Sequence, residues 1–504
     1  MTEGYLRTTI GVLALSLAGA MLPAVLAAAK MDDDERARVE AVVRPTDDFS
    51  KPERYEQWPA GAATVFGPPN RDAFSRPSGN MSFERELEFK VGNGIFRKLW
   101  VSAPSSTSSS DGLGPLFNAR ACQSCHLKDG RGSPPAAGEA AVSLFLRLSI
   151  PPQSDEQRVA LAEHRIAVVP EPTYGTQFQN FSIQGIPAEG EMAIEYQELP
   201  VVLADGEGVS LREPRYAASG LNYGPLHPDT MLSPRVAPPM IGAGLLEAIA
   251  EGDILAQADP EDRDGDGISG RPNLVWSDEK DAVVLGRFGW KAGQPSVAQQ
   301  AAAAFAGDIG ISTPLYRKAS GDCTAAETEC LAAIDGGASA EDTIEVTQDL
   351  FDLVVFYSRN LGVPARRALD VPQVLDGKRL FYASGCTGCH RPKFVTARDP
   401  TRPEQSFQLI WPYTDLLLHE LGAALADHRS EGVATGREWR TPPLWGIGLT
   451  ETVSGHTFFL HDGRARNLLE AILWHGGEAQ AARDRVAAMT GSEREALLAF
   501  LNSL

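Results

Sequence analysis

The chain has 504 residues, 43% of them hydrophobic and 22% charged, with 46 Lys and Arg against 66 Asp and Glu for a net charge of −20. That acidic balance argues against a nucleic-acid partner, which needs a basic surface, and the length allows two or three domains with sizeable cores. The load of 48 Gly and 35 Pro favours many loops and short elements over a regular helical bundle.

The N-terminus reads as a secretory leader. In MTEGYLRTTIGVLALSLAGAMLPAVLAAAK, Arg7 precedes an apolar run from Ile10, and Ala27, Ala28 and Ala29 are small enough for cleavage after Ala29. Residues 1–29 are expected to be a signal peptide. The mature protein is then exported, soluble and periplasmic, because no other stretch approaches the roughly 20 apolar residues that a membrane span needs. Residues 30–60 are polar and charged, as in a surface arm. VSAPSSTSSSDG (101–112) is a Ser-rich loop that leads into ACQSCHLKDGRG.

The six cysteines are Cys122, Cys125, Cys323, Cys330, Cys386 and Cys389. Four of them form two C-x-x-C-H units, CQSCH and CTGCH. Two thiols at this spacing can add to the vinyl groups on one edge of a haem, while the adjoining imidazole binds the iron. A four-thiol zinc site would have to join pairs that lie far apart in the chain, and it has no use for the histidines. A thioredoxin-like dithiol wants a βαβ context that neither flank shows. The sequence therefore predicts two covalently bound haem c groups, held by Cys122, Cys125, Cys386 and Cys389, with His126 and His390 as proximal iron ligands. Cys323 and Cys330 are left for a structural disulfide, the simplest outcome in an oxidising compartment.

Between about 140 and 245, short apolar runs such as AVSLFLRLSI and EMAIEYQEL are separated by Pro and Gly, which predicts a strand-containing insertion packed on the first haem domain. DPEDRDGDGISG (259–270) sets Asp262, Asp264 and Asp266 at alternate positions before Gly267, a supply of hard oxygen ligands for Ca²⁺. Asn273 stands where an EF-hand has Glu, so the loop departs from that motif, and a solvated acidic turn is the competing reading. SVAQQAAAAFAGDIG (296–310) and TIEVTQDLFDLVVFYSRNLG (343–362) have helical periodicity, with Gly362 and Pro364 as the stop. A helix in VPQVLDGKRLFYASGCTGCH runs into the second motif, and NLLEAILWH and EREALLAFLNSL add closing helices.

With both motifs placed, the chain resembles the exported di-haem oxidoreductases, relatives of bacterial di-haem cytochrome c peroxidase and of the di-haem enzyme that matures methylamine dehydrogenase. The resemblance covers about residues 60–504. It rests on GPLFNARACQSCHLKDGRG, DGDGISGRPN, GRFGWKAGQPS, YTDLLLHELGAALAD, GREWRTPPLWGIGL and FFLHDGRARNLLEAILWHGGEA. It implies a mainly α fold of two cytochrome c-like helical domains, here 61–365 with the insertion and 366–504, with calcium at their interface. One haem would take electrons from a small cytochrome c or cupredoxin donor, and the N-terminal one would face the substrate, hydrogen peroxide in the peroxidase relatives. A non-enzymatic di-haem electron carrier and a haem-dependent oxidase of protein side chains or thiols are the alternatives.

In the peroxidases the stretch matching TFFLHDG supplies a methionine ligand. Leu460 occupies that position here, and none of the eight Met residues falls between Cys386 and Ala488. The candidate sixth ligands are His461, then His456 and His419, with His475 read equally as a packing residue against Trp474. Proton transfer to peroxide needs a nearby acid or base, for which Glu420, Asp462 and Glu438 are the candidates. Arg440, Arg464 and Arg466 are candidate haem-propionate partners, and Trp290 or Trp445 a candidate bridge between the haems.

Overall fold

The computed structural model describes residues 1, 31–107, 110–136, 138–337 and 344–504, so the expected leader lies outside the described residues apart from Met1. Among the described residues 30% are helical and 17% are in strands. Among the described residues the strands form six small sheets, five two-stranded and one three-stranded. The expectation of a mainly α protein is thus corrected to a mixed α/β one. Many of the missed strands are two or three residues long, such as Leu116–Phe117 paired with Phe181–Ser182. Segments that short show no alternation, and tertiary contacts decide their conformation.

The helices concentrate in two crossed pairs. Phe83–Phe96 packs on Gln348–Arg359, burying Phe89, Gly92, Ile95 and Phe96 at helical spacing against Phe351, Val354 and Tyr357. Pro372–Ala383, started by Pro at its first position, packs on Gly491–Ser503, which Thr490 and Glu493 close with a capping box. The second crossing buries Val374, Gly377, Leu380 and Phe381 against Leu497, Phe500 and Leu501. Each large apolar side chain buried this way contributes roughly 1.5–3 kcal/mol. Both crossings need a glycine, because a Cβ at Gly92 would collide with the Leu353 carbonyl oxygen and one at Gly377 with that of Ala496. Four residues beyond each glycine comes a phenylalanine that meets one C-x-x-C-H unit. The Phe96 ring lies 6.2 Å from that of His126, and the Phe381 ring 6.3 Å from that of His390.

Between the pairs lies the strand-rich part. Leu144–Ser149 is the middle strand of the three-stranded sheet, between Gln177–Phe178 and Met231–Val236. A longer hairpin pairs Glu191–Val202 with Gly208–Ser219. Met192 and Tyr216 near its base pack on the Tyr174 and Phe178 cluster, whereas Leu203 and Leu211 near its tip enter the same core as Val486 and Met489. Arg494 holds the tip through Asp205 at 2.5 Å, and Ala204 N–H donates to the Ala487 carbonyl at 3.1 Å. Phe181 and Ile183 of the same stretch pack against the core of the first helix pair, so the insertion reaches both pairs.

The stretch 30–60 has two characters. Asp33–Val43 is a surface helix with no buried residue. Glu53 and Glu56 instead reach the C-terminal helices, where each accepts Lys378 Nζ at 2.8 Å. No helix among the described residues is long and apolar enough to cross a membrane.

Candidate functional site

The two C-x-x-C-H units, far apart in sequence, line one continuous cavity of about 880 Å³, near the top of the range of about 300–1,000 Å³ for ligand sites. Cys122–Cys125 is a single helical turn, which places both thiols on one face, with His126 capping it. Cys386–Gly388 is a tighter turn leading to Cys389 and His390. All four cysteines are free thiols. Burial pushes Cys122 and Cys386 up to about 12 and raises Cys125 and Cys389 as well. Thiols held protonated in this way make poor redox dithiols.

Both histidines are set alike. His126 Nδ1 is 2.8 Å from the Pro238 carbonyl oxygen and His390 Nδ1 is 2.9 Å from that of Tyr413. A carbonyl can only accept, so Nδ1 carries the proton and Nε2 keeps its lone pair. Burial lowers both imidazoles to about 4, so they are neutral. A neutral imidazole fixed through Nδ1–H is the form that binds a metal.

Of the histidines considered as sixth ligands, two have both nitrogens engaged. His419 has Asp415 Oδ2 at 2.8 Å on Nε2 and Glu478 Oε2 at 2.7 Å on Nδ1. Burial opposes its charge, yet Asp415 first and then Cys389 hold it well above the ordinary range, and both ring nitrogens already have carboxylate partners. His456 Nε2 meets the Arg131 carbonyl at 3.0 Å, and its Nδ1 accepts the Phe458 N–H at 3.2 Å. Neither geometry suits an iron ligand.

His461 and His475 differ from these in their hydrogen bonds; both line the cavity, as His419 also does. His461 is buried, stacks on Trp439 with ring centres 3.8 Å apart, and has no hydrogen-bond partner at Nε2. Asp462 Oδ2, at 3.7 Å, is too distant to be one. Burial lowers the His461 imidazole to about 3. It belongs to the first motif's side: its carbonyl accepts the Val236 N–H at 2.8 Å, two residues before Pro238. His475 repeats the His126 arrangement, with Nδ1 2.7 Å from the Ala471 carbonyl one turn back. It is close enough to His390 to depress that imidazole further. His475 was the weakest sequence candidate, and its place at the end of the helix Leu468–Leu473 is what turns it toward the cavity.

The three carboxylates considered for proton transfer do not line the cavity; Asp266, Asp308, Glu431 and Glu478 do. Asp462 is spent on Arg464 at 2.9 Å and on Tyr216, Glu438 on Arg271 at 2.8 Å, and Glu420 lies beside Arg437 at 3.7 Å. Of the arginines considered for propionates, Arg440 lines the cavity. Arg464 is taken by Asp462, and Arg466 by Glu470 and Glu198. Arg131, Arg147, Arg235 and Arg429 line it instead, carried by stretches with no sequence signal for this role. Trp290 and Trp445 both line it; Trp290 Nε1 donates to the Val236 carbonyl at 2.8 Å, while buried Trp445 Nε1 has no partner.

Carboxylate oxygens of Asp262, Asp264 and Asp266 all lie within 4.8 Å of one another. The next turn brings Ile268 against Gly388 of the second motif. Cys323 and Cys330 are joined in a disulfide, with Cα atoms 6.2 Å apart.

Paired thiols and a neutral imidazole, present twice around one cavity with orphaned nitrogens on His461 and Trp445, suit haem and define a haem-binding redox protein. The chain matches the family described as di-haem oxidoreductase, putative peroxidase, over residues 56–504, and it belongs to that family. Haem is the cofactor that membership implies. No curated protein matches the chain. Among solved structures, a hydrazine synthase from Kuenenia stuttgartiensis, pressurised with 20 bar xenon, is similar at 14% identity over 71% of this chain and 90% of that one, with a TM-score of 0.27.

Proposed function

We propose that the protein is an exported, periplasmic peroxidase of c-type di-haem architecture. It would take electrons from a small cytochrome c or cupredoxin and reduce hydrogen peroxide, two electrons and two protons giving two waters. Cys122 and Cys125 would bind one haem covalently with His126 on its iron, and Cys386, Cys389 and His390 the other. The bound haems would supply the one-electron redox chemistry and the iron that meets peroxide.

The observation that supports this reading is the single cavity lined by both C-x-x-C-H units. His475 would be a second ligand to the iron that His390 binds, since its Nδ1 is fixed on the Ala471 carbonyl as that of His126 is on Pro238, and its charge would be felt at His390. His461, neutral and stacked on Trp439 on the side of the first motif, is positioned to hold or pass a proton at Nε2. The same two histidines favour the second reading, a six-coordinate electron carrier, if both bind iron. The Asp262, Asp264 and Asp266 loop would take Ca²⁺ beside the second motif. Calorimetric titration with Ca²⁺ of the protein stripped with a chelator checks this, and no heat of binding leaves the loop a solvated turn.

The deciding experiment is optical and EPR spectroscopy of the half-reduced protein with and without hydrogen peroxide. A high-spin iron that changes when peroxide is added supports the peroxidase. Two low-spin irons indifferent to peroxide would leave only the carrier.

A further inference from the structure

His419 has no part in the function proposed above, yet it belongs to a bonded cluster set against the second motif. The strand Leu418–Glu420 holds it in the cavity wall, 3% exposed, with Nδ1 3.4 Å from Cys389 Sγ. A Cβ at Gly270 would stand 3.2 Å from His419 Cε1, so a glycine there gives the ring its place.

Two carboxylates take the ring from either side. Asp415 Oδ2 lies 2.8 Å from Nε2, and Asp415 Oδ1 accepts the Leu417 N–H at 2.9 Å. Glu478 Oε2 lies 2.7 Å from Nδ1, and Glu478 Oε1 accepts the Ser269 hydroxyl and, at 3.3 Å, the Glu420 N–H. All four carboxylate oxygens are therefore engaged. Ionised carboxylates only accept, so both ring nitrogens carry a proton and His419 is a cation between two anions. Burial pushes the Glu478 carboxyl up, but the bonds from His419 and Ser269 outweigh it and hold the group below the usual range. Arg440 and Arg391 also feel Asp415, while their donors go to the Gly289 and Thr441 carbonyls and to Gln257.

Buried charges are screened little by salt. Charges fixed beside a haem weight its two oxidation states unequally, an anion favouring the ferric iron and a cation the ferrous. We propose that Asp415, His419 and Glu478 set the reduction potential of the haem at the second motif, from beside the Cys389 sulfur. None of the three would bind iron; they are positioning residues for the electron step. The inference rests on the haem reading above.

The test is spectroelectrochemical titration of the holoprotein and of Glu478→Gln, Asp415→Asn and His419→Gln, with haem content by intact mass alongside. The haem concerned is the one missing from Cys386→Ala/Cys389→Ala. Removing either carboxylate should raise its potential, moving the ferric-to-ferrous ratio at a set potential by about tenfold, and His419→Gln should lower it. The other haem should not move. Ser269→Ala, which cuts a bond to Glu478 without changing charge, should leave both potentials in place. Unchanged potentials in Glu478→Gln, or equal shifts in both haems, would overturn the inference. A chain mass without haem at this unit would overturn the haem reading and, with it, this inference. Glu478 carries the decision if the other two variants do not fold, because its side chain is 10% exposed against 3% for Asp415 and His419.

Discussion

Arg131 donates from Nε to the main-chain carbonyl of Phe458 at 2.8 Å, and the same guanidinium also reaches the Leu460 carbonyl. Its own backbone adds to the link, with its N–H on Ser454 Oγ and its carbonyl facing His456, both at 3.0 Å. A residue five beyond the first motif's histidine thereby fixes the segment that presents His461. Burial lowers the guanidinium to about 10, leaving it charged at neutral pH. Arg131→Ala should cost roughly 2–4 kcal/mol in urea unfolding, because two carbonyls lose a charged donor in a buried place. Lys128→Ala, which removes an exposed pair with Asp72, should change stability by less than about 1 kcal/mol.

The two cavity histidines His461 and His475 should separate by spectrum. His475→Ala is expected to convert one haem from low-spin to high-spin. His461→Ala should leave both spin states intact while slowing peroxide consumption by about 10²–10⁴-fold, the usual worth of a positioned acid or base. The opposite pattern would exchange their roles.

The two C-x-x-C-H units could be read as a pair because thiol, thiol and imidazole lie within five residues, and the structure brings both units to one cavity. The helices 348–359, 372–383 and 491–503 were legible from periodicity. Which histidines keep a nitrogen free could not be read, since a histidine's availability depends on what meets its other nitrogen. His419 lost its lone pair to Asp415 and to Glu478, which lies 59 residues away, and no local pattern reports that. His475 has its Nδ1 fixed on the carbonyl four residues back, an arrangement that its neighbours in sequence do not announce. The short strands escaped for a similar reason: partners such as 116–117 and 181–182 meet only in the folded chain.

Substitution at the two helix crossings should be costly in the same way. Gly92→Ala and Gly377→Ala each set a methyl group against a backbone carbonyl that cannot rotate aside. Each should destabilise by about 1–3 kcal/mol, the usual cost of overpacking, and lower the thermal midpoint without altering the absorption spectrum. Gly94→Ala, on the same helix as Gly92 with open space at its Cβ, is the control.

Acid stability should depend on Glu431. Burial pushes its carboxyl up, but Arg235 and Arg429 outweigh that and hold it well below the carboxylate range. A carboxyl depressed in the folded state stabilises the fold above its unfolded value of about 4.3, and that contribution fades as pH falls through the acid range. Glu431→Gln should therefore cost roughly 3–5 kcal/mol near neutral pH, as expected for breaking a buried pair, and progressively less below about pH 4.5. Urea midpoints between pH 3 and 7 check this; a constant difference would remove Glu431 from the account.

The central claim is that both C-x-x-C-H units carry covalently bound haem in one cavity. Intact-mass measurement after acid-acetone extraction, on protein made with the haem c maturation machinery, tests it directly. The account predicts two haems retained per chain, one in the Cys386→Ala/Cys389→Ala variant and one in Cys122→Ala/Cys125→Ala. Haem lost entirely to the solvent, or a chain mass without haem, would contradict it.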